Sequence, residues 1–228
     1  MNQLSAMLGM FYEPSASFRD LKDRPASWLP LALTLILSLG VFYWFYVTVD
    51  FAWLVDRMMS AQPDMKPEQR EAMQNFMKRD TMMYSTLIGV LIVTPIIYAL
   101  HAIYLLIASR VIDGGLNFMN SFHLSVWSSV PALLGFPLMA LQVATGHGQI
   151  GMEDLNMLSL NFLVAHEPIG AKWASFFNSL SVPHFWSIAI ATIGLKVWTG
   201  KSTASCFTVA VLPYAVIYGL WAAKNLFF

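Results

Sequence analysis

Five stretches of this chain, residues 31–49, 81–109, 116–152, 173–195 and 202–223, contain no charged side chain. An α-helix rises about 1.5 Å per residue, so roughly 20 apolar residues cross a hydrocarbon layer of about 30 Å. Each stretch is long enough for one crossing, and short charged patches separate them. The pattern predicts an all-α integral membrane protein with five transmembrane helices plus interfacial amphipathic helices, organised as a single membrane domain over residues 1–228. Composition agrees: 57% of the 228 residues are hydrophobic and 11% charged, against about 25% charged in ordinary soluble domains. Lys plus Arg and Asp plus Glu each number 13, so no basic surplus attracts nucleic acid. The lone Cys206 excludes an internal disulfide framework. No basic leader with an apolar core and a small-residue cleavage site opens the chain, so no removable signal peptide is expected.

Residues 1–27 read as an interfacial segment. Leu4, Met7, Leu8 and Phe11 recur at helical spacing, and Pro14 suits the first turn of a second short helix. The first span is expected from Pro30 to about Val49. Its far end is the aromatic run Phe42, Tyr43, Trp44, Phe45 and Tyr46, a composition that anchors helices at headgroup depth. Residues 50–80 form a charged amphipathic connection. Met58, Met59, Met65, Met73 and Met77 lie in it and Met82 and Met83 just beyond, seven of 14 methionines in all. Thioethers can bind Cu(I), but no Cys or His lies nearby in the loop, so packing of apolar gaps is the preferred reading. Met73, Phe76 and Met77 mark an apolar stripe leading into the second span.

The second span runs from about Tyr84 to Ser109. Ser85 and Gly89 put small residues four apart, which favours close helix packing, and Pro95 should bend the helix. Paired Gly114 and Gly115 predict a sharp reversal. Span three, about Ser121 to Val143, repeats small hydroxyl residues at Ser121, Ser125 and Ser129, with Pro131, Gly135 and Pro137 as kinks. Residues 144–180 read as a polar or interfacial connection. Its His147, Glu153, Asp154, His166 and Glu167 lack the spacing of a zinc site. Trp173, Phe176 and Phe177 suit a half-inserted helix. Pro183 opens span four, which ends near Lys196. Span five covers about Thr203 to Ala223, with Ala215 and Gly219 as a further packing stripe and Pro213 as a further bend.

Three histidines, His101, His123 and His184, fall within or near spans. An intramembrane ionisable group is a functional candidate by default, and these three are the candidate metal ligands. The competing reading is a neutral imidazole bonded to a neighbouring span, which is preferred, and no metal or other cofactor is expected. No GxSxG, HExxH or intramembrane aspartate pair is visible, so no catalytic residue is assigned and no enzyme is expected.

The run PHFWSIAIATIGLKVWTGKS, residues 183–202, together with FYEPSASFRDLKDRP, VIDGGLNF and the late proline of span five, resembles the Yip-one domain (Ypt-interacting protein) family, in its bacterial branch. The likeness covers nearly the whole chain and lies in the order and spacing of these pieces. It implies five spans in a bacterial inner membrane, with a cytoplasmic N-terminus and an external C-terminus. Counts of Lys and Arg on the two sides do not by themselves fix that orientation. Eukaryotic relatives bind Rab-type GTPases; their acidic DLYGP motif is absent here, which places GTPase binding in doubt. The function expected is a non-catalytic scaffold that organises lipids or membrane partners, as a homo-oligomer or with another membrane protein. A small-solute or metal-ion transporter using kinked spans and the intramembrane histidines is the alternative.

Overall fold

A computed structural model describes residues 2–23, 25–62 and 66–227. Arg24 of the N-terminal segment and Asp64 and Met65 of the charged connection lie outside the described residues, as does the Phe76 side chain. The described residues form α1 (Gln3–Tyr12), α2 (Pro14–Asp23), α3 (Trp28–Thr48), α4 (Phe51–Ser60), α5 (Pro67–Phe76), α6 (Arg79–Val111), α7 (Phe118–Ser128), α8 (Gly135–Thr145), α9 (Ala174–Ser179), α10 (Val182–Thr199) and α11 (Thr203–Phe227). An isolated antiparallel bridge between Ser159 and Ser181 is the one extended pairing among them.

Local chemistry sets many of these boundaries. Asn2, Asp50 and Asn117 cap α1, α4 and α7, each accepting from a backbone N–H three residues on at 2.8, 3.2 and 2.8 Å. Pro14 and Pro67 occupy first helical positions, where the missing N–H costs nothing. Pro95 and Pro213 lie inside α6 and α11. Between α7 and α8 the helix tightens to a 3₁₀ turn, Val130–Leu134, which contains Pro131; Pro137 sits in the first turn of α8.

Among the described residues, four segments are long and apolar enough to cross a bilayer: α3, α6, Phe118–Thr145 and α11. α10, the expected fourth span, is not one of them. The uncharged window 173–195 begins well before it, because α9 and the Ser159–Ser181 bridge take up residues 174–181. What remains is an 18-residue helix diluted by His184, Ser187, Thr192 and Lys196.

The chain divides into two compact units. The first comprises residues 1–35, 93–133 and 183–228. Its core is built on Met10, Phe18, Leu105, Leu124, Trp127 and Leu195, all fully buried. Two indoles hold the N-terminal segment: Trp198 Nε1 donates to the Phe18 carbonyl at 2.7 Å and Trp127 Nε1 to the Ala26 carbonyl at 2.8 Å. Lys22 Nζ donates to the Trp198 carbonyl at 3.3 Å. On α1 the deeply buried residues are Ala6, Gly9 and Met10. Met7 and Phe11 pack against this core, whereas Leu4, Leu8 and Tyr12 point outward. The reversal after α6 is pinned by buried Ser109, whose carbonyl accepts from Gly114 N at 2.6 Å and whose hydroxyl accepts from Leu116 N at 2.9 Å. Gly115 adopts a φ of +69° there, the left-handed conformation glycine allows. α10 approaches so closely at Gly194 that a Cβ would collide with Leu124 and Phe18.

The second unit comprises residues 36–92 and 134–182, around Phe45, Tyr46, Val49, Leu54 and Leu155. Met58, Met82, Met139 and Met152 pack against that cluster as ordinary apolar filling. The Tyr46 hydroxyl meets Thr86 Oγ1 at 3.0 Å and Met152 Sδ at 3.6 Å. Arg79 donates to the carbonyls of Tyr46, Val47 and Val49, closing the otherwise unpaired C-terminal end of α3. Arg57 bridges Glu153 at 2.6 Å and Asp154 at 2.8 Å. Burial pushes the Asp154 carboxyl above its ordinary value; Arg57 opposes that shift and Glu153 reinforces it. These carboxylates, considered above as zinc ligands, are engaged by a guanidinium instead.

Candidate functional site

The first unit contains a cavity of about 510 Å³ between α6, α7, α10 and α11. α6 presents Tyr98, His101 and Tyr104 at successive three-residue steps, so the three stack along one helix face. α7 and the turn after it supply Ser125, Ser128, Ser129 and Ala132; α10 supplies His184 and Ser187; α11 supplies Pro213, Tyr214 and Ile217. No charged side chain lines it.

The polar groups of the wall are largely committed to one another. Ser129 Oγ donates to the Val126 carbonyl at 2.8 Å, which consumes its one proton. The Tyr98 hydroxyl, 2.8 Å from Ser129 Oγ, is therefore the donor of that pair. Ser128 Oγ donates to the Ser125 carbonyl at 3.0 Å. Tyr104 donates to the Val209 carbonyl at 2.7 Å. Val209 precedes Pro213 by four residues, so its carbonyl has lost the helical N–H it would otherwise receive. The phenol of α6 makes good what the proline of α11 removes.

His101 is held by Ser125, with Nδ1 2.8 Å from Oγ, and its ring lies parallel to that of Tyr104 at 6.3 Å. Its Nε2 is buried and has no hydrogen-bond partner within the protein. A neutral imidazole has one donor and one acceptor nitrogen, so one of those capacities is left unmet here. His184 lies 6.0 Å from the Tyr214 ring, tilted by 53°.

Of the three candidate histidines, His101 and His184 line the same cavity. His123 does not; its Nδ1 pairs with Ser27 Oγ at 2.9 Å. Among the described residues, no three His, Cys, Asp or Glu side chains are grouped to hold a metal ion. His147 and His166 occupy left-handed turn positions, with φ of 49° and 53°. Ser121 and Ser125 are buried within the first unit. Ser85, Ala215 and Gly219 are exposed, and Cβ atoms built at Gly89 and Gly219 would meet nothing. Sequence reasoning overlooked Tyr98, Tyr104 and Tyr214. A readable signal existed: a mid-span tyrosine needs a partner for its hydroxyl, and Pro213 announces a spare carbonyl four residues earlier.

The family model of the Yip1 domain matches residues 8–223. The chain is 23% identical over 215 residues to the membrane protein YknW of Bacillus subtilis (strain 168), an alignment that covers 93% of this chain and 86% of that one. No solved structure matches it.

Proposed function

This chain belongs to the Yip1 domain family, and from that premise we propose that it is a non-catalytic scaffold of a bacterial inner membrane, gathering membrane partners through the outer faces of its spans. One observation carries this reading. The small residues Ser85 on α6 and Ala215 and Gly219 on α11 are exposed on apolar helices, and a Cβ built at Gly89 or Gly219 would meet nothing. Between membrane helices, small residues permit close backbone approach, and association there depends on such packing. A second copy of this chain or another membrane protein fits these faces. The proposal includes α10 as a fifth crossing, a cytoplasmic N-terminus, and α1 resting in the interface with Leu4, Leu8 and Tyr12 toward lipid. The acidic motif of the GTPase-binding relatives is absent, so a GTPase is not the partner proposed.

Transport is the second reading, favoured by the shared cavity of His101 and His184. Its uncharged, mostly aromatic and aliphatic wall offers little to a hydrated ion.

The scaffold reading is tested by replacing Gly89 or Gly219 with cysteine and applying a bismaleimide to intact membranes. Cys206 is fully buried, so the unsubstituted chain is the blank. Reproducible adducts of defined mass at 89 and 219, absent for cysteine at exposed Ile107, support it. Adducts that are random, or equal at all three positions, exclude it.

A further inference from the structure

A small pocket of about 160 Å³ opens where α2, the turn after α6, α7 and α10 meet, lined by Lys22, Gly115, Leu116, Asn120 and Trp198. It lies at the ends of the long helices rather than along them. α6 stops at Val111, α7 starts at Phe118 and α11 starts at Thr203, and Gly114 is so close to Thr199 that a Cβ would collide with its methyl. α6, Phe118–Thr145 and α11 are apolar enough to cross a bilayer, so their gathered ends fall at headgroup depth. The polar groups of the pocket divide into spent and free. The Trp198 indole donates to the Phe18 carbonyl, and Leu116 N donates to Ser109 Oγ. The Trp198 carbonyl accepts from Lys22 Nζ at 3.3 Å, a bond that caps the last turn of α10 and uses one of three ammonium protons. Among the described residues, the other two protons have no partner, and neither do the Asn120 carboxamide and the Gly115 N–H. The Gly115 and Leu116 carbonyls are unpaired acceptors there. No carboxylate lines the pocket. Asp20 and Asp23 line a separate cavity with Asn2 and Gln3, and Asp113 of the neighbouring turn makes no ion pair with Lys22.

We propose that this pocket binds a phosphate ester, carried by an anionic phospholipid with a hydroxylated headgroup. One cation beside two uncharged donors selects an anion with several acceptor oxygens, and bonds from an ammonium to such oxygens are the strong ones. The phosphate oxygens accept from Lys22, Asn120 and Gly115, and a headgroup hydroxyl donates to the Gly115 or Leu116 carbonyl. Drug-sized ligands need roughly 300 Å³ or more, so the pocket admits the headgroup while the acyl chains stay in the bilayer. It is separate from the small-residue faces of the scaffold reading: crosslinking at Gly89 and Gly219 can fail while this pocket fills, and the reverse.

The test uses the full-length protein in dodecyl maltoside, a detergent without phosphate, and a phosphatidylglycerol carrying a photoactivatable group near its glycerol backbone. Unlabelled competitors are phosphatidylglycerol, the diacylglycerol with the same chains, oleate, and glycerol phosphate as the soluble source of the same group. Saturable labelling of peptides containing Lys22, residues 115–120 or Trp198 is expected. Phosphatidylglycerol should displace the probe about tenfold better than diacylglycerol or oleate, and glycerol phosphate at the same concentration should displace none. Asn120→Asp sets a carboxylate in the pocket yet suits the first turn of α7, so it should erase the preference with folding intact. Lys22→Gln keeps a donor for the Trp198 carbonyl without the charge and should lose most of the preference, whereas Lys22→Arg should retain it. Equal displacement by phosphatidylglycerol and diacylglycerol, or by oleate, means that no phosphate is recognised and overturns the proposal. So does labelling that never saturates or that Asn120→Asp leaves unchanged. Equal displacement by glycerol phosphate would assign the pocket to a soluble ester and overturn the lipid. Should Lys22→Gln fail to fold, the competitor series and Asn120→Asp still decide.

Discussion

The Tyr104 hydroxyl lies 2.7 Å from the Val209 carbonyl, and Val209 is the residue whose helical donor Pro213 removes. Two spanning helices are therefore joined at the point where one of them is defective. Tyr104→Phe should destabilise the chain by about 1 kcal/mol, since hydrogen bonds between membrane helices are modest in net value. In a Pro213→Ala background the amide returns to α11, and the same substitution should cost measurably less. A double-mutant cycle followed by denaturant unfolding in mild detergent checks this; strictly additive losses would disconnect the two residues.

Arg79 closes α3 with three carbonyl contacts from one guanidinium. Arg79→Ala should cost about 2 kcal/mol, the scale of charged hydrogen bonds at a helix end. Arg79→Lys should recover only part, because a single ammonium cannot spread across the same carbonyls. Proteolytic susceptibility of residues 36–92 against residues 93–133 would localise the loss to the second unit.

The Arg57 clamp has a definite pH signature. The folded Asp154 carboxyl titrates above its ordinary value because of burial, and Arg57 restrains that rise. Just above the usual carboxylate range the folded state therefore holds more proton than the unfolded one, and its contribution to stability falls as pH increases. Arg57→Ala should widen this window, so the variant gains stability on acidification from neutrality toward about pH 5. Melting temperatures recorded across that range are the measurement. A variant curve parallel to the native one would remove Asp154 from the account.

Glycines on the long helices separate into two kinds. Gly194→Ala forces a methyl into Leu124 and Phe18 and should cost about 1–3 kcal/mol by overpacking. Gly89→Ala and Gly219→Ala meet open space and should be neutral or stabilising by up to about 1 kcal/mol. If the scaffold reading holds, larger residues at 89 and 219 leave the melting temperature intact yet reduce bismaleimide adducts from neighbouring exposed positions.

Hydropathy revealed the spanning helices because each residue reports its own preference for lipid, and a helix satisfies its own backbone. α3, α6, Phe118–Thr145 and α11 lie where the uncharged windows fall. Within the uncharged window at 173–195, α9 and α10 lie where the half-inserted helix and the fourth span were read; Asn178, Ser179 and Ser181 permit the break between them, which hydropathy averages over. The candidate site was legible only in fragments. His101, Ser125, Ser129 and Pro213 stood out singly, but pairing Tyr104 with Val209 spans 105 residues of chain, and no local pattern encodes it. The protein-facing side of α1, Ala6, Gly9 and Met10, went unread for a related reason. Gly9 sits so close to Ser17 that a side chain would collide, and small residues that permit contact carry little weight beside Leu4 and Leu8 in a search for bulk.

The grip of Trp127 and Trp198 on the beginning of the chain is directed at peptide oxygens of Ala26 and Phe18 rather than at side-chain polar groups. Such a latch recognises the path of the polypeptide and is largely indifferent to its spelling at those points. Exchanging Ala26 for serine leaves the latch engaged, whereas losing either indole unfastens the leading helices together, whatever letters they contain.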